Sequence, residues 1–418
     1  MKKIISVFIV LAGVLLMLPD TSSAIPAFAR KYGFNCNMCH TAFTKLNDFG
    51  QRVRQHGYQI PGQEGFEKNV FATPIPLAMR TSMGLVVGGN DSTTTSSFNI
   101  NGLDILAAGV LHKNISFLLI YTPRIDEPAG DYTGSNNGAN PSQLGALESA
   151  SLVFSNLVPD LLNVRVGRFE PAYHAISSKR IYYLISPFEI YAYGTGNNSF
   201  VFDDNQMGIE VTGNSRVGFH YAAGVVNGNG PNPDNNKGKD LYLTMHQIIG
   251  RGEGQSAGQR IGVFGYYGWQ PTILDSLMGP MGENEGGGNK TFYRIGGDIS
   301  LNWRTFNLRA LFMQGIDDKA LNPLDTADDY EFNGGLVELD WAGLYNNRLI
   351  ASAMVNWVNP PCGDNDKQVL AYSALIRYNL GDWTAVNVAL HAEYLHREIG
   401  KDNPFKDDIV ALMLDFAF

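Results

Sequence analysis

Ile409-Val410-Ala411-Leu412-Met413-Leu414-Asp415-Phe416-Ala417-Phe418 closes the chain, and its alternation decides the fold class. Val410, Leu412, Leu414, Phe416 and Phe418 share one apolar face, whereas Ala411, Met413, Asp415 and Ala417 share the other. A side-chain period of two is that of a β-strand. In water, an apolar edge ending the chain invites aggregation. Against hydrocarbon the same face is the stable one.

The pattern repeats upstream. Phe306, Leu308, Ala310 and Phe312 alternate with Asn307 and Arg309, and Val386, Val388, Leu390 and Tyr394 alternate with Asn387, His391 and Glu393. From Ile75 onward sixteen such stretches are predicted, at 75–87, 98–111, 115–123, 147–156, 163–169, 199–212, 216–226, 238–247, 258–270, 291–303, 306–315, 330–341, 348–358, 367–380, 384–396 and 407–418. Long polar, glycine-rich loops (124–146, 170–198, 227–237, 271–290, 316–329, 397–406) alternate with short turns such as His112-Lys113-Asn114, Gly213-Asn214-Ser215 and Arg304-Thr305. The stretch from Ile248 to Ala257 is longer than that alternation wants. An even strand number with long loops at one end and short turns at the other is the signature of an outer-membrane barrel. Trp303, Trp341, Trp357 and Trp383 fall at strand ends, where an interfacial aromatic girdle belongs. The expected fold is therefore all-β: a sixteen-stranded antiparallel transmembrane β-barrel over 75–418, closed by a terminal phenylalanine that looks like the assembly signal of such barrels.

Composition excludes other classes. Past the first twenty residues no stretch approaches the roughly 18 apolar residues of a membrane helix. A net charge of -9, spread without Lys/Arg runs, gives no nucleic-acid surface. Three cysteines in 418 residues build no disulfide framework.

The other end of the chain is an address followed by a cofactor motif. Met1-Lys2-Lys3, the apolar stretch Ile4 to Leu18, and small residues at Ser22 and Ala24 read as a signal peptide over 1–24. Shortly after comes Cys36-Asn37-Met38-Cys39-His40, the C-x-x-C-H pattern of c-type haem attachment. Two thiols add to the two vinyl groups at one edge of a porphyrin, and the adjacent imidazole then reaches the iron. A zinc site would need a second ligand pair, but the remaining cysteine, Cys362, is isolated. Phe43, Leu46, Phe49 and Val53 recur at three- and four-residue steps and predict a short helix over Thr41 to Tyr58, stopped at Gly57. The haem segment, 25–61, is below the roughly 40 residues that fold unaided. Its linker to the first strand, 62–74, keeps it near the barrel mouth, so it is expected inside or against the barrel as a plug. Arg80, Arg309, Asn387 and His391 would supply the polar wall on which it docks.

A signal peptide, one C-x-x-C-H, the segment Leu46-Asn47-Asp48-Phe49-Gly50 with Gly57-Tyr58, and a porin-like remainder together resemble the fused monohaem c-type cytochrome–porins of bacterial outer membranes. The resemblance is specific over about Ile25 to Tyr58 and is one of pattern elsewhere. It implies thioether anchors at Cys36 and Cys39 and a proximal iron ligand at His40. It also implies an electron conduit in the outer membrane, of iron-oxidation or extracellular electron transfer type. Such a conduit joins an extracellular redox donor or acceptor to periplasmic carriers such as soluble c-type cytochromes. A solute porin with a structural or sensory haem, and a haem enzyme, are the alternatives. Arg30, Lys31, Arg52 and Arg54 are candidates to pair with haem propionates.

The distal iron ligand is open between His174, in a loop long enough to fold inward, and His56, at the end of the plug helix. His220, His246 and His391 fall on the lumenal parity, where a histidine is expected to be pore lining. Met79 and Met83 face lipid on the same parity argument. Asp298, Glu338, Asp340 and Glu393 are expected to be solvated pore lining, and the aspartates at 317, 318, 325, 328, 329, 364 and 366 to form acidic outer loops.

Overall fold

The computed structural model describes residues 32, 38–42, 45–66, 68–70, 77–90, 92–123, 145–215, 217–250, 258–273, 288–324, 328–344, 348–383 and 386–417. The signal-peptide stretch, Cys36, Arg30, Lys31 and Phe418 lie outside them. A small antiparallel hairpin of β1 (His40–Ala42) and β2 (Lys45–Leu46) leads into helix α1 (Asp48–Gln55). Sixteen barrel strands follow: β3 (Leu77–Gly89), β4 (Thr94–His112), β5 (Ile115–Pro123), β6 (Gly145–Val158), β7 (Leu162–Phe169), β8 (Gln206–Asn214), β9 (Phe219–Val226), β10 (Asp240–Ile249), β11 (Gln259–Gln270), β12 (Lys290–Trp303), β13 (Phe306–Asp317), β14 (Tyr330–Leu344), β15 (Leu349–Asn359), β16 (Val369–Trp383), β17 (Val386–Ile399) and β18 (Phe405–Ala417). A one-turn helix α2 (Glu189–Ala192) lies between β7 and β8. No helix among the described residues is long and apolar enough to cross a membrane.

Each barrel strand pairs antiparallel with its sequence neighbours, and β18 closes the ring on β3, with Asp408 opposite Gly89 and Ala417 opposite Arg80. Closure leaves no unpaired edge, which is what hydrocarbon requires of a sheet. The terminal alternation sorts as expected: Val410 and Leu412 lie exposed on the outer wall while Ala411, Met413, Asp415 and Ala417 are buried within. Met83 also faces outward. Trp303 and Trp383 end strands at the short-turn end, with Trp341 nearby, and Trp357 sits near the opposite end of β15.

Two predicted elements are corrected. The strand expected over 199–212 begins only at Gln206, because Phe200 and Phe202 are buried in the lumen and not in the wall. The helix expected from Thr41 begins at Asp48, because the preceding residues form the β1–β2 hairpin and Asn47 caps the helix.

The lumen is filled from two directions. Between β7 and β8 the chain turns inward and packs an aromatic core of Tyr173, Tyr182, Phe188, Tyr191, Phe200 and Phe202 against inward-facing Tyr242, Phe264, Tyr266, Phe292 and Phe332. The N-terminal segment enters beside the short turns. The lumenal carboxylates are consequently not solvated, contrary to expectation. Asp298 pairs with Arg260 at 3.0 Å, Glu338 with Arg309, Asp340 with Lys45, and Glu393 accepts from the Leu184 backbone N–H at 2.7 Å and Ser186 Oγ at 2.6 Å. Asp317, expected in an acidic outer loop, is buried against Arg294.

Candidate functional site

The geometry of the N-terminal segment starts at Asn47. Its Oδ1 accepts from the Gly50 N–H at 2.9 Å, its Nδ2 donates to the Met38 carbonyl at 3.0 Å, and its own N–H donates to the Cys39 carbonyl at 2.9 Å. One side chain thus caps α1 and ties it to the attachment motif. A Cβ at Gly50 would lie 2.1 Å from the Cys39 carbonyl oxygen, so only glycine lets the helix pack on that peptide. His40 stands opposite Leu46 across the β1–β2 hairpin. Gly57 ends the helix with φ of 66°. A Cβ there would meet Ser116 Oγ at 2.0 Å, so the segment leaves α1 pressed against the barrel wall.

Polar contacts hold this segment in the barrel. Lys45, itself buried, meets Glu338 at 3.3 Å and pairs with Asp340. Ser155 Oγ donates to the His56 carbonyl at 2.9 Å. His56 Nδ1 lies 2.6 Å from Glu64, and His56 Nε2 accepts from Asn214 Nδ2 at 3.3 Å. Burial pulls the His56 imidazole below its ordinary value, against the opposing pull of Glu64. Arg54 Nη2 donates to Glu170 Oε2 at 2.9 Å, joining the segment to the inward loop. Arg54 is lowered to about 10 by burial and Arg180, against Glu170.

Glu170 is the hub on the loop side. Burial alone would raise its carboxyl, but Arg180, Arg54 and His174 outweigh that and hold it well below the ordinary carboxylate range. Ser177 Oγ also donates to it, and Arg165 Nη2 donates to its carbonyl at 3.1 Å. His174 Nε2 donates to the Phe202 carbonyl, while Nδ1 lies 3.8 Å from Glu170. Burial lowers its pKa, against the opposing pull of Glu170. From His174 the rings continue outward. Tyr173 lies 4.6 Å away by centroid, Tyr266 5.1 Å from Tyr173, and Phe292 5.7 Å from Tyr266. Arg294 bridges Phe292 and Phe332, and Tyr330 beside Phe332 bonds Asp364 between β15 and β16.

Between the two fillings lies a cavity of about 180 Å³ that opens to solvent. Asp48 and Gln51 of α1 line one side, His174 another, and His220 and His246 on the barrel wall a third. The two wall histidines face each other across β9 and β10 with rings stacked at 4.7 Å. His220 Nδ1 donates to Asn214 Oδ1, the same amide whose Nδ2 serves His56.

The structure thus brings His174, His220 and His246 to one cavity, with His56 joined to His220 through Asn214, and leaves His391 elsewhere, paired with Glu393 at 2.8 Å. Of the expected docking wall, Arg309 belongs to the Lys45 cluster through Glu338, whereas Arg80 pairs with Asp415 at 3.3 Å. Arg54, a candidate for propionates, is engaged by Glu170, and Arg52 pairs with Asp48 within the helix at 3.3 Å. Cys362 is exposed and free. The Cys39 thiol is free and half-buried on the residue before His40. That donor set, in a segment stitched by Asn47, fits a c-type haem. Among the described residues no group of three or more His, Cys, Asp or Glu is placed to hold a metal ion.

A closed ring of sixteen antiparallel strands with an apolar outer wall and an inward loop is a porin-like outer-membrane β-barrel. Among solved structures it is similar to OmpF of Salmonella typhi, in complex with daunomycin (TM-score 0.56, 10% identity, covering 84% of this chain and 100% of that one). It is also similar to an anion-selective porin of Comamonas acidovorans (0.53, 12%, 82% and 98%) and to OmpT of Vibrio cholerae (0.53, 10%, 82% and 99%). At these identities the likeness is one of fold. No family model and no curated protein matches the chain.

Proposed function

We propose that the protein is an outer-membrane electron conduit. One haem c, held by Cys36, Cys39 and His40 in the periplasmic half of the barrel, would pass electrons between an extracellular donor or acceptor and periplasmic carriers such as soluble c-type cytochromes. Iron(II) is the donor that the family resemblance implies. The observation that carries this reading is the filling of the lumen. The attachment motif lies on a segment bonded into the barrel, and the opposite half is packed with buried aromatic side chains where a solute channel would need water. When bound, the haem supplies a one-electron centre whose potential follows its axial ligands and surroundings. The protein's own residues position the segment through Lys45, Arg54 and His56, exclude water from the outer half, and place packed rings between the cavity and the outer loops. Short turns are periplasmic and long loops extracellular in such barrels, so the position of the segment beside the short turns supports exchange with soluble cytochromes.

The porin-like fold favours one second reading, a solute porin whose haem is structural or sensory. Two measurements on the purified protein separate the readings. A haem stain on a denaturing gel is expected to be positive and to vanish in Cys36→Ala/Cys39→Ala. Planar-bilayer recordings are expected to show little ion conductance. A stain-negative protein matured with the attachment machinery present refutes the conduit, and large, steady conductance supports the porin.

A further inference from the structure

Of the histidines near the cavity, two have Nε2 hydrogen-bonded and Nδ1 buried beside a carboxylate. His56 Nε2 accepts from Asn214 with Nδ1 2.6 Å from Glu64, and His174 Nε2 donates to the Phe202 carbonyl with Nδ1 3.8 Å from Glu170. These are the two favoured by the sequence, and each would have to break a buried bond to turn toward an iron. His220 is arranged differently. It is 5% exposed and lines the cavity opposite α1. Asn214 donates through Nδ2 to His56 and therefore offers Oδ1 to His220, which must carry its proton on Nδ1. Nε2 is left as a lone-pair nitrogen on the other side of the ring. A histidine whose far N–H is fixed by an amide or carbonyl oxygen, with the opposite nitrogen free to coordinate, is the arrangement of a metal ligand with its orienting partner.

We infer that His220 is the distal axial ligand of the haem, with Asn214 setting its tautomer and the stacked His246 limiting its rotation. This assignment rests on the haem reading above. His220 and the α1 residues Asp48 and Gln51 line one cavity, and Leu46, which also lines it, pairs in register with His40. The barrel wall and the plug would then each contribute one ligand. Six-coordinate bis-histidine iron suits electron transfer over ligand binding.

The test is spectroscopic and needs no turnover. The haem stain on the same preparations reports the haem reading by itself. Electron paramagnetic resonance and absorption of the full-length wild type are expected to show low-spin bis-histidine iron. His220→Ala is expected to become predominantly high-spin with the haem still covalently attached, and added imidazole to restore the low-spin state. His220→Met, which keeps side-chain bulk, is expected to give a low-spin His–Met signature. His246→Ala and His174→Ala are expected to stay low-spin. A haem-loaded wild type that is high-spin, or a His220→Ala protein that stays bis-histidine, overturns the assignment while leaving the haem reading standing. A wild type without covalent haem removes both, and the stain tells the two failures apart.

Discussion

Two pieces of chain fill the same lumen with different emphases. The loop between β7 and β8 is built around an aromatic core, with Tyr173, Phe188, Tyr191 and Phe202 packed on inward-facing wall residues and hydrogen bonds to the wall such as Ser186 to Glu393 at its margin. The N-terminal segment is held by charge and hydrogen bonds: Lys45 to Glu338 and Asp340, Arg54 to Glu170, His56 to Asn214. The loop is built between two strands and needs no address. The segment arrives on a linker and must find its place, so directional bonds to a polar wall position it where apolar packing would not. Such a segment suits a cofactor that is attached before docking.

The largest expected effect separates the two regions outright. Cys36→Ala/Cys39→Ala should abolish covalent haem yet leave the barrel and its loop assembled, as read by haem stain against heat-dependent gel migration. Glu170→Ala comes next because it belongs to both regions. It leaves Arg54 and Arg180 as buried charges without their carboxylate, at a cost of about 3–5 kcal/mol. Limited proteolysis should then reach both the segment and the loop. Phe202→Ala should cost a similar 3–5 kcal/mol, but in the loop alone. Bilayer conductance should rise while protease protection of the segment persists.

How much of this was legible in the sequence follows the range of the interactions involved. Strand number and outward faces were readable, since alternation is local and lipid makes it strict: Val410 and Leu412 turn out as expected. The inward loop was readable as long but not as aromatic filling, so 199–205 looked like strand. The carboxylates Glu338 and Asp340 carry no local sign that Lys45, nearly three hundred residues earlier, will meet them. Glu170 and Asn214 were missed for the same reason. The opposition of His220 and His246 did have a signal: the two lie symmetrically about the 227–239 hairpin loop, so antiparallel pairing brings them together.

Smaller effects sharpen the contrast. Asn47→Ala removes the cap of α1 and its tie to Met38 and should cost about 1 kcal/mol, seen as faster amide exchange in the segment with the loop unchanged. The smallest is set by pH. The folded value of His56 lies below the ordinary 6.5, so docking is strongest at neutral pH and weakens as pH falls from about 6.5 toward that folded value. Glu170 stays ionised across that window because its value is depressed well below the carboxylate range. The segment should therefore loosen around His56 before the Arg54 tie fails, which amide exchange at pH 7 and pH 5 would resolve.

The central claim is that electrons, and not solutes, cross this barrel. Proteoliposomes loaded with an impermeant redox dye and given an impermeant reductant outside test it most directly. Wild type should reduce the enclosed dye, and a His40→Ala barrel of equal assembly should not. Equal rates in the two would mean that reagent leaks through an open pore, and would contradict the conduit.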